Sequence, residues 1–306
     1  MRALKNITLV LSAGYIFVYF SEHMFWARTR PEDSVGEWTA VWVAYSLAAF
    51  VFLHIVTHFK VTNRWALFLA GAAFGWITEG IIVQTTYESL PLSISWTGLA
   101  WHALITIGIG WYALRQRLTP LASFGTLKLA ALIGAGYGLW AISWWLDPDG
   151  GVATLGEFSA FVLATSVLVI IAYWFANWSA EEPFTPNRWI TRIIYGLFLL
   201  YYLFIAIPAV PVAAIILPIL LGLVYFGLRK NKQNEQSDTS IINISGVAHP
   251  LNYLSLLAIP LTAILVYALA LSFNLHWQTN WLVYLITTPL GFILFFVSLY
   301  KTSKTP

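Results

Sequence analysis

Apolar positions in this chain come in long runs, and polar positions gather between them. Ten runs lie at about 5–25, 38–58, 65–86, 96–114, 126–146, 157–178, 189–207, 210–228, 251–272 and 280–300. Each is close to the roughly 20 residues that carry a helix across a hydrocarbon core of about 30 Å. Taken together, the seventh and eighth runs would form one helix of about 60 Å, twice that thickness. Pro208-Ala209-Val210-Pro211 supplies a turn between them, so two spans are expected. The first run has no small-x-small cleavage site after it and reads as a signal anchor that stays. The pattern predicts an all-α, polytopic integral membrane protein of about ten transmembrane helices, folded as a single unit over 1–306.

The polar connections set a direction. With the N-terminus placed inside, the inner segments hold 14 Lys and Arg and the outer segments only two, Arg28 and Arg30. Cytoplasmic loops attract such an excess. The expected arrangement is therefore N-in and C-in, in a cytoplasmic (inner) membrane. An even number of spans is what lets the charges alternate in this way. The stretch 229–250 is polar and reads as a cytoplasmic linker before the final pair of spans. No repeat relates the two halves of the chain.

Composition sharpens the class. Apolar residues are 59% and charged residues 9%, where a soluble domain has about 45–50% and about 25%. A soluble or disordered chain is excluded. The net charge of +3, spread over many loops, marks topology and gives no nucleic-acid surface. With no cysteine, disulfides, thiolate metal sites and cysteine nucleophiles are excluded. Most of the 16 tryptophans fall near span ends, where indoles anchor helices at the interface.

Some polar residues have local explanations. Ser34-x-x-Glu37 and Thr154-x-x-Glu157 are capping boxes opening the second and sixth spans. Asp147-Pro148-Asp149-Gly150-Gly151 is a turn. Glu79 has no such explanation. It lies within the apolar run 74–83 of the third span, and a charge at that depth costs a few kcal/mol unless it faces protein and has a partner. Gly71, Gly75 and Glu79 recur every four residues, and the fourth span carries Gly98, His102, Thr106 and Gly110 at the same spacing. Small residues four apart let helices come close. A hairpin symmetric about Leu90–Pro91 pairs Glu79 with His102, Gly75 with Thr106 and Gly71 with Gly110.

A carboxyl and an imidazole in contact can exchange a proton near neutral pH. Glu79 and His102 are therefore the candidate catalytic residues. Tyr87, Glu88, Trp96 and Trp101, with Glu22 and His23 from the first span, are expected around the same mouth as substrate-binding residues. His276 and Trp26 lie on the same side. Over this one hairpin, Glu79-Gly80, Tyr87 and Trp101 resemble the Glu-Gly, Tyr and Trp of membrane carotenoid-modifying proteins, which implies an isoprenoid-type substrate.

Other patterns carry less. His54 and His58 are four apart, but six scattered histidines cannot supply the several boxes of a membrane di-iron enzyme. Glu181-Glu182 lies in a loop, with prolines before Arg188, and does not fit the paired glutamates of CAAX-type membrane proteases. No phosphate-cradling glycine loop is present. No cofactor and no metal is implied. The last four spans, within 187–306, hold no carboxylate or histidine at depth, whereas the six-helix half 1–186 carries the polar residues. Three functions fit this pattern: an enzyme acting on an apolar lipid by acid–base chemistry, a proton- or ion-coupled ten-helix carrier, and a scaffold subunit. In each the partner is membrane lipid, and the oligomeric state is open.

Overall fold

The computed structural model describes residues 2–118, 123–146, 151–234 and 248–304. Every regular element among them is helical. Nine of the helices are long and apolar enough to cross a membrane: Arg2–Trp26, Val35–His58, Arg64–Ile82, Phe124–Leu146, Leu155–Ser179, Arg188–Ala209, Ala213–Gln233, Pro250–Ser272 and Thr279–Lys304. A further helix, Ile94–Leu114, stands where the fourth run predicts one. Numbered in chain order with this helix as the fourth, the long helices among the described residues are ten. The expected turn at Asp147–Gly150 and most of the 229–250 linker lie outside the described residues.

Local chemistry accounts for several helix ends. The Ser34 hydroxyl accepts from the Glu37 N–H at 3.2 Å and opens the second helix. Thr154 and Glu157 form a reciprocal box at the start of the sixth, with Glu157 N–H on Thr154 Oγ1 and Thr154 N–H on Glu157 Oε2. Asn63 and Asn187 cap the third and seventh through their side-chain oxygens. The seventh helix ends at Ala209 and the eighth begins at Ala213, so the proline-bearing turn falls where the sequence puts it.

Helices one to four form the centre. Phe17, Phe52, Phe74 and Trp111 meet there, one from each of these helices, with the Phe17 ring 4.7–5.6 Å from the other three. Glycines set the closest approaches. A Cβ on Gly14 would lie 2.2 Å from Ser46 Oγ, and one on Gly75 would lie 2.2 Å from the Gly98 carbonyl oxygen. The late helices close around this centre. Gly291 of the tenth faces Ser95, whose hydroxyl donates to the Thr288 carbonyl at 2.6 Å. Gly134 and Gly138 of the fifth helix meet the ninth at the Ile259 and Ala263 carbonyls. The paired glutamates are held from the chain's start, with Lys5 Nζ 3.2 Å from Glu181 and 3.4 Å from Glu182.

Four helices depart from the α ladder. Tyr19–His23 in the first, Thr78–Ile82 in the third, all of Ile94–Leu114 and Tyr202–Ala206 in the seventh carry i→i+5 hydrogen bonds. Such widened turns are rare and occur often at functional sites. Those of the first, third and fourth helices bring residues to the same place.

Candidate functional site

The widened turn at Thr78–Ile82 places Glu79 toward the fourth helix. His102 Nε2 lies 2.6 Å from Glu79 Oε1. Both side chains are buried. The other Glu79 oxygen accepts from the Thr85 hydroxyl. His102 Nδ1 lies 2.9 Å from Ser21 Oγ, and Ser21 Oγ lies 2.9 Å from Thr106 Oγ1. Thr106 also reaches the Trp101 carbonyl at 3.3 Å. The chain therefore runs Glu79, His102, Ser21, Thr106, Trp101, through three helices.

This chain can be satisfied in two ways. With Glu79 ionised, His102 Nε2–H donates to it, and Nδ1 accepts from Ser21, whose oxygen accepts from Thr106. With Glu79 protonated, its O–H donates to Nε2. Nδ1–H then donates to Ser21, Ser21 to Thr106, and Thr106 to the Trp101 carbonyl. Hydroxyls donate and accept, and neutral imidazole does one at each nitrogen. Neither state leaves a buried member unpaired, so the network tolerates a proton gained or lost at Glu79.

A second carboxyl faces the same space. Glu22 Oε1 accepts from the Tyr45 hydroxyl at 2.6 Å and Oε2 from Trp26 Nε1–H at 3.1 Å. Glu22, Glu79 and His102 line one cavity of about 130 Å³, walled by Phe25, Trp26, Trp96 and Trp101. Several of the indoles in and around it are fixed by their N–H groups. Trp101 Nε1 donates to the Phe20 carbonyl at 3.1 Å. Trp140 and Trp144 both donate to the Phe25 carbonyl, at 2.6 and 2.7 Å. Phe25 and Trp96 also wall a neighbouring cavity of about 490 Å³, with Trp140, Trp144, Trp281 and Tyr284.

Of the residues expected from sequence, Glu79, His102, Glu22, Trp26, Trp96 and Trp101 come together here. The others do not. Tyr87 spends its hydroxyl on the Gly80 carbonyl at 2.9 Å, behind the third helix. Glu88 is exposed. His276 pairs with Asn274 at 2.9 Å and lies against Trp145. His23 is buried beside Trp38, Tyr15 and Phe161, outside this cavity. Ser21, Tyr45, Thr85 and Thr97 complete the site and were not singled out by the sequence.

The helix register differs from the symmetric hairpin. Gly75 meets Gly98, not Thr106, and Gly71 meets Ala103 and Ile107, not Gly110. Thr106 and Gly110 face the first helix, at Ser21 and Phe20. Two things differ: the contacts centre the hairpin near Thr86–Tyr87, not Leu90–Pro91, and the fourth helix is widened. Residues four apart overshoot one turn at 3.6 residues per turn but fall short of it in an i→i+5 ladder. The stripe Gly98–Gly110 therefore passes from the third helix to the first. Among the described residues no group of three or more His, Asp or Glu could hold a metal ion. His54 Nδ1 lies 3.0 Å from the Tyr195 hydroxyl. No protein-family model, no curated protein and no solved structure matches the chain.

Proposed function

We propose that the chain crosses the cytoplasmic membrane ten times with both termini inside, and that it is an enzyme acting on an apolar, isoprenoid-type lipid through Glu79 and His102. The charge asymmetry of the loops supports the orientation. It puts the cavity beside Glu79 in the outer half of the membrane.

One observation carries the catalytic reading. Two carboxyls and an imidazole share a space of about 130 Å³ with fixed indole faces. A void of about 150 Å³ holds benzene, so this one has room for the end of an isoprenoid chain, and the adjoining aromatic cavity has room for more of it. Protonated Glu79 gives its proton to one carbon of a double bond. The positive charge forming on the other carbon faces Trp96 and Trp101, whose π faces attract cations. Loss of a proton to Glu22 ends an isomerisation or cyclisation; in a hydration, water adds to the cation and gives up its proton to Glu22. That proton returns to Glu79 through water in the cavity the two carboxyls line, while His102 holds Glu79 in either protonation state.

The test is extraction of whatever co-purifies in detergent, read by mass and visible spectrum, for the wild type and Glu79→Gln. An unsaturated apolar lipid that accumulates unconverted in the variant is the expected result. A bound lipid converted equally by both proteins makes the pair structural. No bound lipid, together with pH-driven uptake into proteoliposomes, favours the carrier.

A further inference from the structure

His23 is a buried polar group outside the Glu79 network. Its neighbours serve the Glu79 cavity, Ser21 through His102 and Thr106 of the fourth helix and Glu22 through Tyr45 of the second. The His23 ring turns toward the second and sixth helices, tilted against Trp38 at 4.2 Å and edge-on to Phe161. It is 1% exposed. Nε2 lies 3.4 Å from the Tyr15 hydroxyl, while Nδ1 has no hydrogen-bond partner. Leaving a buried polar group unmatched costs about 1–3 kcal/mol.

His23 ends an apolar groove of about 630 Å³ between the first, second and sixth helices. Leu11, Trp42, Leu168 and Phe175 form its sides. From Thr8 to His23 it follows the first helix for about 22 Å at 1.5 Å per residue, long enough for an extended acyl or isoprenoid chain. No charged side chain lines it. The Thr39 and Thr165 hydroxyls spend their protons on carbonyls of their own helices. His23 and Trp38 also border a separate cavity of about 30 Å³ with Arg28, Arg30 and Glu37, where Asp33 holds Arg30. On the groove's own wall a charged head group has no ionic partner, whereas a neutral oxygen would pair with Nδ1.

We propose that this groove is a second lipid site, separate from the Glu79 cavity, that takes a long-chain alcohol with its hydroxyl on His23 Nδ1. A hydroxyl fits whichever way the imidazole proton lies. If Tyr15 donates to the Thr165 carbonyl, 3.5 Å away, Nε2–H donates to Tyr15, and Nδ1 accepts from the alcohol. If Tyr15 donates to Nε2, Nδ1–H donates to the alcohol oxygen.

The experiment uses the full chain in phosphatidylcholine nanodiscs. One probe is hexadecanol carrying a mid-chain diazirine; the other is the corresponding diazirine alkane. After irradiation, labelled peptides are mapped by mass spectrometry. The alcohol should label 8–18 and 164–175 more heavily than the alkane, by about fivefold, the factor one net hydrogen bond supplies. That excess should vanish in His23→Phe, which keeps a ring. Ala164→Trp, at an exposed position on the groove wall, should lower labelling by both probes. Equal labelling of the wild type by the two probes overturns the proposal, since the groove then takes bilayer chains regardless of their end group. An alcohol excess that survives His23→Phe, or labelling that Ala164→Trp leaves undiminished, also overturns it. Neither variant touches Glu79 or His102, so the result is independent of the proposed catalysis.

Discussion

The third and seventh helices are both apolar and both close to twenty residues long, yet they live in different solvents. In the third, Arg64–Ile82, 89% of the most apolar window is buried in protein; in the seventh, Arg188–Ala209, the figure is 11%. Gly75 of the third touches the backbone of the fourth helix, whereas Gly196 of the seventh has nothing within 4 Å of an added Cβ. Length and hydropathy say that a helix can cross a membrane. Small residues, and a polar residue that needs a partner, say what it crosses beside.

The strongest way to break that contrast is to unpair the third helix. His102→Ala leaves Glu79 only the Thr85 hydroxyl and should cost about 3–5 kcal/mol, as removal of one partner of a buried pair does. The check is thermal unfolding in detergent. Glu79→Gln with His102→Gln should recover most of the loss. A stable His102→Ala protein would mean that Glu79 is already served by neighbours.

Next comes packing. Gly75→Leu should destabilise by about 1–3 kcal/mol or more, because its Cβ alone would meet the Gly98 carbonyl. Gly196→Leu should leave the unfolding temperature unchanged. Equal effects at both positions would erase the distinction between the two helices. Cross-linking sharpens the same point. Ser21 and Thr106 hydroxyls are 2.9 Å apart, so cysteines there should form a disulfide, while cysteines at Gly75 and Thr106 should not. The smallest effect belongs to the seventh helix's own polar contact. Tyr195→Phe removes its bond to His54 and should cost no more than about 1 kcal/mol, read from the same unfolding curves.

The helices were legible because lipid demands about twenty apolar residues and nothing else. The Glu79–His102 contact was legible because each is a lone ionisable group in an apolar run, and their depths agree. The hydroxyls were not. A serine or threonine in such a helix commonly bonds the carbonyl four residues back, as Ser46 and Thr39 do, so Ser21 and Thr106 look no different in sequence. Nor does Tyr45 stand out among the 15 tyrosines. Glu88 misled because nearness in the chain to the mouth says nothing about which way an exposed turn points. The glycine pairing misled because the hairpin was taken as symmetric about Leu90–Pro91, whereas the contacts of Gly75 with Gly98 and Gly71 with Ala103 centre it near Thr86–Tyr87.

Those widened turns make the site depend on chain length as well as on side chains. An i→i+5 turn holds one residue more than the α turn it replaces. Deleting a single residue within Tyr19–His23, Phe20 for instance, would let the first helix close as a plain α-helix. The helix on either side would keep its register, and only the residues inside the turn would change direction. Ser21 and Glu22 would swing away from His102 and Tyr45 with every site residue still present. An inactivating lesion here would thus be a deletion in frame, and a compensating insertion nearby could restore what no substitution can.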